Sequence, residues 1–156
     1  MNNNLLNQKY LSRLRERCFM DFEDRLSVLT YESSTQIFHF LAKSSNPANL
    51  KHLTFSRLKE LTTVPLEVSP NFFKLVLAIL TDERVNILVE IFEAHDFESD
   101  ESIILSFDEI TDFIIENKFI NPFTEEVISE SEFSNMVTTF FSISEELSGD
   151  LNVLSY

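Results

Sequence analysis

Two pairs of carboxylates stand at spacings that could support general acid and base chemistry. Glu90 and Glu93 lie at i and i+3, and Asp108 and Asp112 at i and i+4, so each pair would share one face of a helix. Two carboxylates held close together can take different protonation states and divide the roles of acid and base. Surface helices carry such pairs routinely, and the sequence shows no nucleophile that would work with either pair. We therefore interpret both pairs as parts of solvated helix faces.

Residues with metal-binding or nucleophilic side chains are few and scattered. His39, His52 and His95 are far apart in the sequence, and none belongs to a metal-ligand motif such as H-E-x-x-H. Cys18 lies on the apolar stripe of a predicted helix, where a thiol fills space, and a lone cysteine is typical of a reducing cytoplasm. Gly149 is the only glycine, which excludes the Rossmann, P-loop and kinase phosphate loops. We expect no enzyme activity, no metal and no cofactor.

The acidic segment "DFESDESIILSF" invites comparison with a calcium loop. Asp96, Glu98 and Asp100 fall at positions 1, 3 and 5 of an EF-hand count. Glu101 stands where the loop needs a glycine, and Phe107 stands where it needs a bidentate carboxylate. The pattern therefore favours a solvated acidic loop.

The stretch "ELTTVPLEVSPNFFKLVL", within residues 54–80, resembles the helix-turn-helix unit of DNA-reading proteins. Thr54 can cap the first helix, and Ser69 followed by Pro70 can open the second. The turn is about one residue longer than usual and lacks the customary glycine. The resemblance implies a DNA-binding regulator acting as a dimer. Its nucleic-acid contacts would be Lys51, Arg57, Lys59, Asn71 and Lys74.

Residues 83–128 resemble part of a winged-helix domain: a helix, a short strand "IIL", a capped helix and a hairpin. Ser106 and Glu109 form a capping box, and "KFINPFTEEVI" predicts two short strands joined by a turn. One helix of the winged-helix order is missing, because residues 106–118 accommodate only about three helical turns. The wing would also repel phosphate through its glutamates Glu125, Glu126, Glu130 and Glu132.

Apolar residues recur at spacings of three and four over most of the chain, which predicts amphipathic helices. The first predicted helix covers residues 4–29 with a break near Asp21. Another predicted helix begins after Thr81 and ends near His95. The stripes are Leu11, Leu14, Cys18, Phe22 and Leu26; Val85, Leu88, Val89 and Phe92; Phe107, Ile110, Phe113 and Ile114; and Phe133, Met136, Val137, Phe140 and Phe141.

These elements predict a mainly α fold with a helix-turn-helix-like segment and a small β-hairpin. The polar run "TYESST" separates two helices, and "SEELSGDLNVLSY" is predicted to be a frayed tail. We divide the chain into N-terminal helices (1–45), a helix-turn-helix and winged-helix-like core (50–128), and a C-terminal helix with the tail (129–156). All three parts are expected to fold as one cooperative domain.

Charge is the feature that most restricts the function. Residues 1–78 contain ten Lys or Arg and seven Asp or Glu, a net charge of +3, whereas residues 79–156 contain two and nineteen, a net charge of −17. Such an asymmetry favours an interaction surface, although a solvated acidic face would also produce it. The expected docking residues are Glu90, Glu93, Glu98, Asp100, Glu101, Asp108, Asp112 and Glu116.

We therefore predict a non-catalytic interaction protein whose acidic half docks on a basic protein surface while its basic half meets a second partner. Nucleic acid would be contacted only locally or within a complex. The sequence is also compatible with a homodimer. The alternatives are the helix-turn-helix regulator and an acidic, DNA-mimicking inhibitor or immunity protein that occupies a nuclease or toxin. The sequence has no apolar run of about 18 residues, so we expect a cytoplasmic protein without membrane contact.

Overall fold

The computed structural model describes residues 3–19, 24–44, 46–63 and 71–154. Of these residues, 57% are helical and 19% lie in strands, so the fold is mixed α and β and the prediction of a mainly α fold is wrong. The helices are α1 (Asn3–Cys18), α2 (Arg25–Ala42), a 3-10 helix (Pro47–Leu50), α3 (Phe55–Glu60), α4 (Phe72–Leu80), α5 (Phe107–Glu116), α6 (Glu130–Met136) and α7 (Glu145–Leu154). The strands are β1 (Leu88–Asp96), β2 (Glu101–Leu105), β3 (Phe119–Ile120), β4 (Val127–Ile128) and β5 (Val137–Ile143).

The described residues form a three-stranded sheet in the order β2-β1-β5 and a two-stranded sheet of β3 and β4. β1 and β2 are antiparallel, with Phe92 opposite Leu105 and Asp96 opposite Glu101. Between them, the Asp96 carboxylate accepts hydrogen bonds from the Glu98 amide at 3.1 Å and the Ser99 hydroxyl at 2.7 Å. The predicted acidic loop is therefore the turn of a β-hairpin.

The predicted helix after Thr81 is wrong, because β1 occupies most of it. Its apolar residues fit a helical period, but Phe92 and Ala94 also alternate along a strand and pair with Leu105 and Ile103. Ala94 is buried, as the inward position of a strand requires. Since this first helix is absent, the described residues do not show the winged-helix order.

The predicted helix through Phe133 and Phe141 is also wrong beyond Met136. Its first part forms α6, which begins where the Ser129 hydroxyl accepts a hydrogen bond from the Glu132 amide at 3.1 Å. The next residues, Val137, Thr138 and Thr139, are β-branched and lose side-chain freedom in a helix, which favours β5.

The predicted frayed tail is a helix instead. Residues Glu145–Leu154 form α7, and the Ser144 hydroxyl caps its start by accepting a hydrogen bond from the Leu147 amide at 3.0 Å. Leu147 and Leu151 stand at i and i+4 and are both buried. The helix therefore packs into the core through one apolar face.

The polar run "TYESST" does not separate two helices but lies inside α2. The Asp24 carboxylate caps this helix by accepting a hydrogen bond from the Ser27 amide at 2.7 Å. Ser33 and Ser34 are buried, and their small side chains suit the packing of α2 against α1 and α4. The predicted stripe is wrong at Leu26, which is 50% exposed. The predicted break at Asp21 lies outside the described residues.

Several local predictions are confirmed. The Thr54 hydroxyl caps α3 by accepting a hydrogen bond from the Arg57 amide, and the Ser106 hydroxyl caps α5 by accepting one from the Glu109 amide. "IIL" lies in β2, and "KFINPFTEEVI" forms the short hairpin of β3 and β4. The predicted cap of α4 at Ser69 and Pro70 lies outside the described residues.

By proximity the chain forms two compact units, residues 1–89 with 141–156, and residues 90–140. We call the first the helical unit and the second the acidic unit. The core of the helical unit includes Tyr10, Phe38 and Leu147, whereas the acidic unit has its own smaller cluster around Ala94 and Phe133. The division at 1–45, 50–128 and 129–156 stays a prediction about folding units.

Candidate protein-binding surface

The cations of α1 pair with carboxylates from α7. Arg13 holds the Glu146 carboxylate through two hydrogen bonds of 2.7 and 3.0 Å, and the Lys9 ammonium lies 2.9 Å from Glu146 and 2.7 Å from Asp150. The Arg13 guanidinium, followed by Lys9, lowers the pKa of Glu146 well below its usual range. Burial, followed by the hydrogen bond that its hydroxyl donates to Asp150, raises the pKa of Tyr10.

A second ion-pair group links the end of α1 to the turn after α4. The Asp82 carboxylate lies 2.7 Å from Nε of Arg17 and 2.9 Å from Nη2 of Arg84. The hydrogen bonds from Arg84 and then Arg17 lower the pKa of Asp82 well below its usual range. The charges of Lys9, Arg13 and Arg17 are therefore paired with carboxylates of the helical unit.

Folding moves the charge asymmetry from the two sequence halves to the two units. The helical unit contains twelve carboxylates and eleven Lys or Arg, a net charge of −1, and the acidic unit contains fourteen carboxylates and one lysine, a net charge of −13. Within residues 90–140, all of which the structure describes, no Lys or Arg nitrogen lies within 4.0 Å of a carboxylate oxygen. The acidic unit thus carries nearly all of the net charge.

The predicted docking residues all lie in the acidic unit, on three elements. Glu90 and Glu93 are on β1, where residues three apart point to opposite faces of the sheet, so the predicted shared helix face is wrong. Glu98, Asp100 and Glu101 form the hairpin turn and the start of β2. Asp108, Asp112 and Glu116 are exposed on α5.

The acidic unit also exposes large apolar side chains, which were not predicted from the sequence. Phe107, Ile114 and Ile115 of α5 are 68%, 63% and 76% exposed, and Phe97 in the hairpin turn is 80% exposed. Contiguous apolar surface on a small protein often marks an interaction site. The pattern "FII" near the end of α5 was the available signal, because three consecutive apolar residues span about 200° around a helix and cannot all face the core.

A cluster around His95 links the strands of the sheet. Its Nδ1 lies 2.8 Å from the Ser102 hydroxyl, and its Nε2 lies 3.1 Å from the Thr138 hydroxyl and 3.5 Å from the Glu93 carboxylate. Serine, histidine and glutamate also occur in hydrolase triads, but a nucleophile there acts beside a pair of oxyanion donors. Ser102 lies in a strand, where successive backbone amides point to opposite edges and do not converge as a pair of oxyanion donors. We therefore interpret this cluster as a set of side-chain contacts that holds the strands together.

The predicted nucleic-acid residues are dispersed over several elements of the helical unit. Lys51 donates a hydrogen bond to the Ser148 hydroxyl at 3.4 Å, and the Arg57 guanidinium lies 5.1 Å from the Phe40 ring centre and 3.7 Å from Glu60. Asn71 occupies the N-cap position of α4. The remaining two residues, Lys59 and Lys74, are exposed on α3 and α4.

The helix predicted to read DNA has little polar surface. Six of the nine residues of α4 are buried, and its exposed positions are Lys74, Leu75 and Ala78. Base readout needs side chains that donate or accept hydrogen bonds, and only Lys74 of these three can donate one. Residues 64–70, which make up most of the turn between α3 and α4, lie outside the described residues.

Cys18 is half-buried at the end of α1, and burial raises the pKa of its thiol to about 11. The thiolate is the reactive form, so we expect the native protein to react with a disulfide reagent at pH 8 at least about tenfold more slowly than the urea-unfolded chain. The measurement is the release of reagent chromophore from the single thiol. Equal rates in the native and unfolded protein would contradict the buried placement.

Comparison of the chain with known protein families, with characterised proteins and with solved structures finds no match in any of the three. In the described part of the chain, no helix combines the length and the apolar character needed to cross a membrane. Among the same residues, no three His, Cys, Asp or Glu side chains are grouped so that they could hold a metal ion.

Proposed function

We propose that this chain is a non-catalytic interaction protein whose acidic unit docks on a basic surface of another protein. The observation that carries the proposal is the net charge of −13 on residues 90–140, where no carboxylate has a Lys or Arg within ion-pair distance. Like charges concentrated on a small unit repel one another, and a complementary partner would relieve that repulsion. Electrostatic complementarity of this kind speeds encounter and excludes partners of the same charge.

The contacts of the helical unit weaken the prediction that the basic half of the sequence meets a second partner. Arg13 and Arg17 are held in ion pairs, which reduces the cationic surface available to a second partner. Nucleic-acid contact would depend on a few dispersed cations such as Lys59 and Lys74. We therefore propose that any such contact is local or occurs within a complex, and that the protein works in the cytoplasm, which its lone cysteine favours.

The proposal is tested by capture from native lysate, with nuclease treatment to remove partners bridged by nucleic acid. The test variant carries Glu98→Gln, Asp100→Asn and Glu101→Gln in the acidic unit, and the control carries Glu32→Gln, Glu83→Gln and Glu145→Gln in the helical unit. All six residues are exposed, and both variants lose the same charge. We expect the test variant to retain at least about fivefold less of a protein that the wild type and the control retain equally.

Two outcomes of that experiment would contradict the proposal. One is the absence of any protein that survives nuclease treatment on the wild-type chain. The other is equal retention by the test variant and the control, because a docking role for the acidic unit requires the location of the charges to matter.

The charge of the acidic unit also favours the DNA-mimicking inhibitor as a second candidate, since fourteen carboxylates against one lysine imitate a polyanion. The activity of the captured protein distinguishes the two. The chain should inhibit a captured nuclease or toxin, and it should leave the activity of a partner of the proposed kind unchanged. The helix-turn-helix regulator, in contrast, requires the chain itself to retard duplex DNA at low salt and to lose that ability when Arg57 and Lys74 become glutamate.

A further inference from the structure

The surface of α5 is divided lengthwise into two rows. The helix has ten residues, about 15 Å at 1.5 Å per residue, and Ile110 and Phe113 face the core cluster of the acidic unit. Phe107 and Ile114 stand at i and i+7 and form an exposed apolar row, and Ile115 is exposed about 80° to 100° around the helix from them, on the side of Asp108. Asp108, Asp112 and Glu116 stand at i, i+4 and i+8 and form an exposed acidic row next to it.

The acidic row is electrostatically unfavourable for α5 itself. Carboxylates at i and i+4 repel one another, and Glu116 lies in the last turn, where the helix dipole is negative and a cation would be favourable. The last turn contains no basic residue. A ligand that brings cations to this row would therefore relieve repulsion at the same place where it covers the apolar row.

We propose that α5 receives a basic amphipathic helix of another protein. The apolar side chains of that helix cover Phe107, Ile114 and Ile115, and its Lys or Arg side chains reach Asp108, Asp112 and Glu116. This inference rests on the proposed function and names its surface and its ligand class. A ligand helix with apolar anchors at i, i+3, i+4 and i+7 and cations beside them could present one set of side chains to each row of α5.

Charge excludes the other occupants of an exposed apolar row. A second copy of this chain that docked through its own α5 would bring its acidic row against Asp108 and Asp112. A nucleic acid or an anionic membrane would likewise be repelled by these carboxylates. A basic protein segment is the occupant that gains from both rows.

The test measures the affinity of the full-length chain for a labelled helical peptide of lysine and leucine, by fluorescence anisotropy. The peptide carries its leucines at helical spacing, and a scrambled peptide of the same composition is the reference. Phe107→Ser with Ile114→Ser should weaken binding about tenfold or more, whereas Val127→Ser, an equally exposed change in the acidic unit, should alter it less than about twofold.

A second pair of variants tests the acidic row. Asp108→Asn with Asp112→Asn should weaken binding about fivefold at low salt, and this loss should shrink as salt rises. Glu125→Gln with Glu126→Gln removes the same charge from the β3–β4 hairpin and should change the affinity less than about twofold. Asp112→Lys with Glu116→Lys should create binding to a leucine and glutamate peptide that the wild type does not bind, a gain that misfolding cannot produce.

The outcomes separate this inference from the proposed function. If both carboxylate pairs weaken binding equally and the Phe107 and Ile114 variant binds like the wild type, the α5 site is overturned while diffuse docking of the acidic unit stands. If the wild type prefers the helical peptide no more than the scrambled one, the α5 site is likewise overturned. If the wild type binds neither peptide at low salt, the proposed function fails with it.

Discussion

Replacing Leu147 with alanine is expected to lower the free energy of unfolding of the helical unit by about 3 kcal/mol. Leu147 is fully buried in the core of that unit, and its removal deletes apolar contacts and leaves a cavity that the neighbouring side chains fill only in part. The measurement is urea unfolding followed by tyrosine fluorescence. Residues 90–140 contain no tyrosine and the chain has no tryptophan, so the signal does not report on the acidic unit.

Val153→Ala is the matched control for this prediction. Val153 is on the same helix and is 54% exposed, so its truncation should change the stability by less than about 0.5 kcal/mol. Similar small effects of both substitutions would show that α7 does not pack as described and would restore the interpretation of residues 145–154 as a tail.

Glu146→Gln should give the second large effect, a loss of about 1.5 kcal/mol at pH 7. The glutamine cannot be held by Arg13 and Lys9 as the carboxylate is, and it leaves two partly buried cations with reduced compensation. The loss is moderate because the Glu146 side chain is 33% exposed and water screens the ion pairs.

The same substitution should change how stability depends on pH. The pKa of Glu146 is lowered in the folded protein, so its contribution is complete above the unfolded-state value of about 4.3 and is lost as pH falls toward the folded-state value. The wild type should therefore lose more stability between pH 5 and pH 3 than Glu146→Gln does. Glu145→Gln, one residue earlier and exposed, should keep the wild-type dependence, and identical curves for all three proteins would contradict the ion-pair account.

Local signals predicted those elements whose ends are set by nearby residues. Thr54 and Ser106 each cap a helix through a side-chain hydrogen bond three residues away, and α4 has apolar residues on most of its surface. β1 and β5 were missed because Phe92 and Phe141 fit both a helical and a strand period. In such segments, contacts with residues distant in sequence determine whether a helix or a strand forms. An example is the pair of backbone hydrogen bonds, 2.7 and 2.8 Å long, between Leu53 and Phe141.

The acidic docking residues could be proposed from composition, but the surface that organises them could not. Helical spacing predicted one apolar stripe of Phe107, Ile110, Phe113 and Ile114, and as a core-facing surface that stripe is wrong for two of the four. In the structure Ile110 and Phe113 face the core, whereas Phe107 and Ile114 are exposed. A stripe of four apolar residues on a ten-residue helix is wider than the small core cluster of the acidic unit can cover.

The sequence shows the charge asymmetry but assigns it to the two halves of the chain, whereas the structure assigns it to the two units. A boundary after residue 78 assigns Glu146 and Asp150 to the acidic half, yet α7 brings both carboxylates back to Lys9 and Arg13. Pairing across more than 130 residues of sequence depends on packing, which composition does not encode. The asymmetry is present in the folded protein because no Lys or Arg pairs with the carboxylates of residues 90–140.

The most direct test of the central claim measures the electrostatic potential at each backbone amide by nuclear magnetic resonance, with paramagnetic cosolutes of opposite charge. The cationic cosolute should relax the amide protons of residues 90–140 much more strongly than the anionic one. In the helical unit, over α1, α2 and α7, the two cosolutes should act nearly equally, because its net charge is −1. A ratio that is the same in both units would contradict the partition of charge on which the proposed function depends.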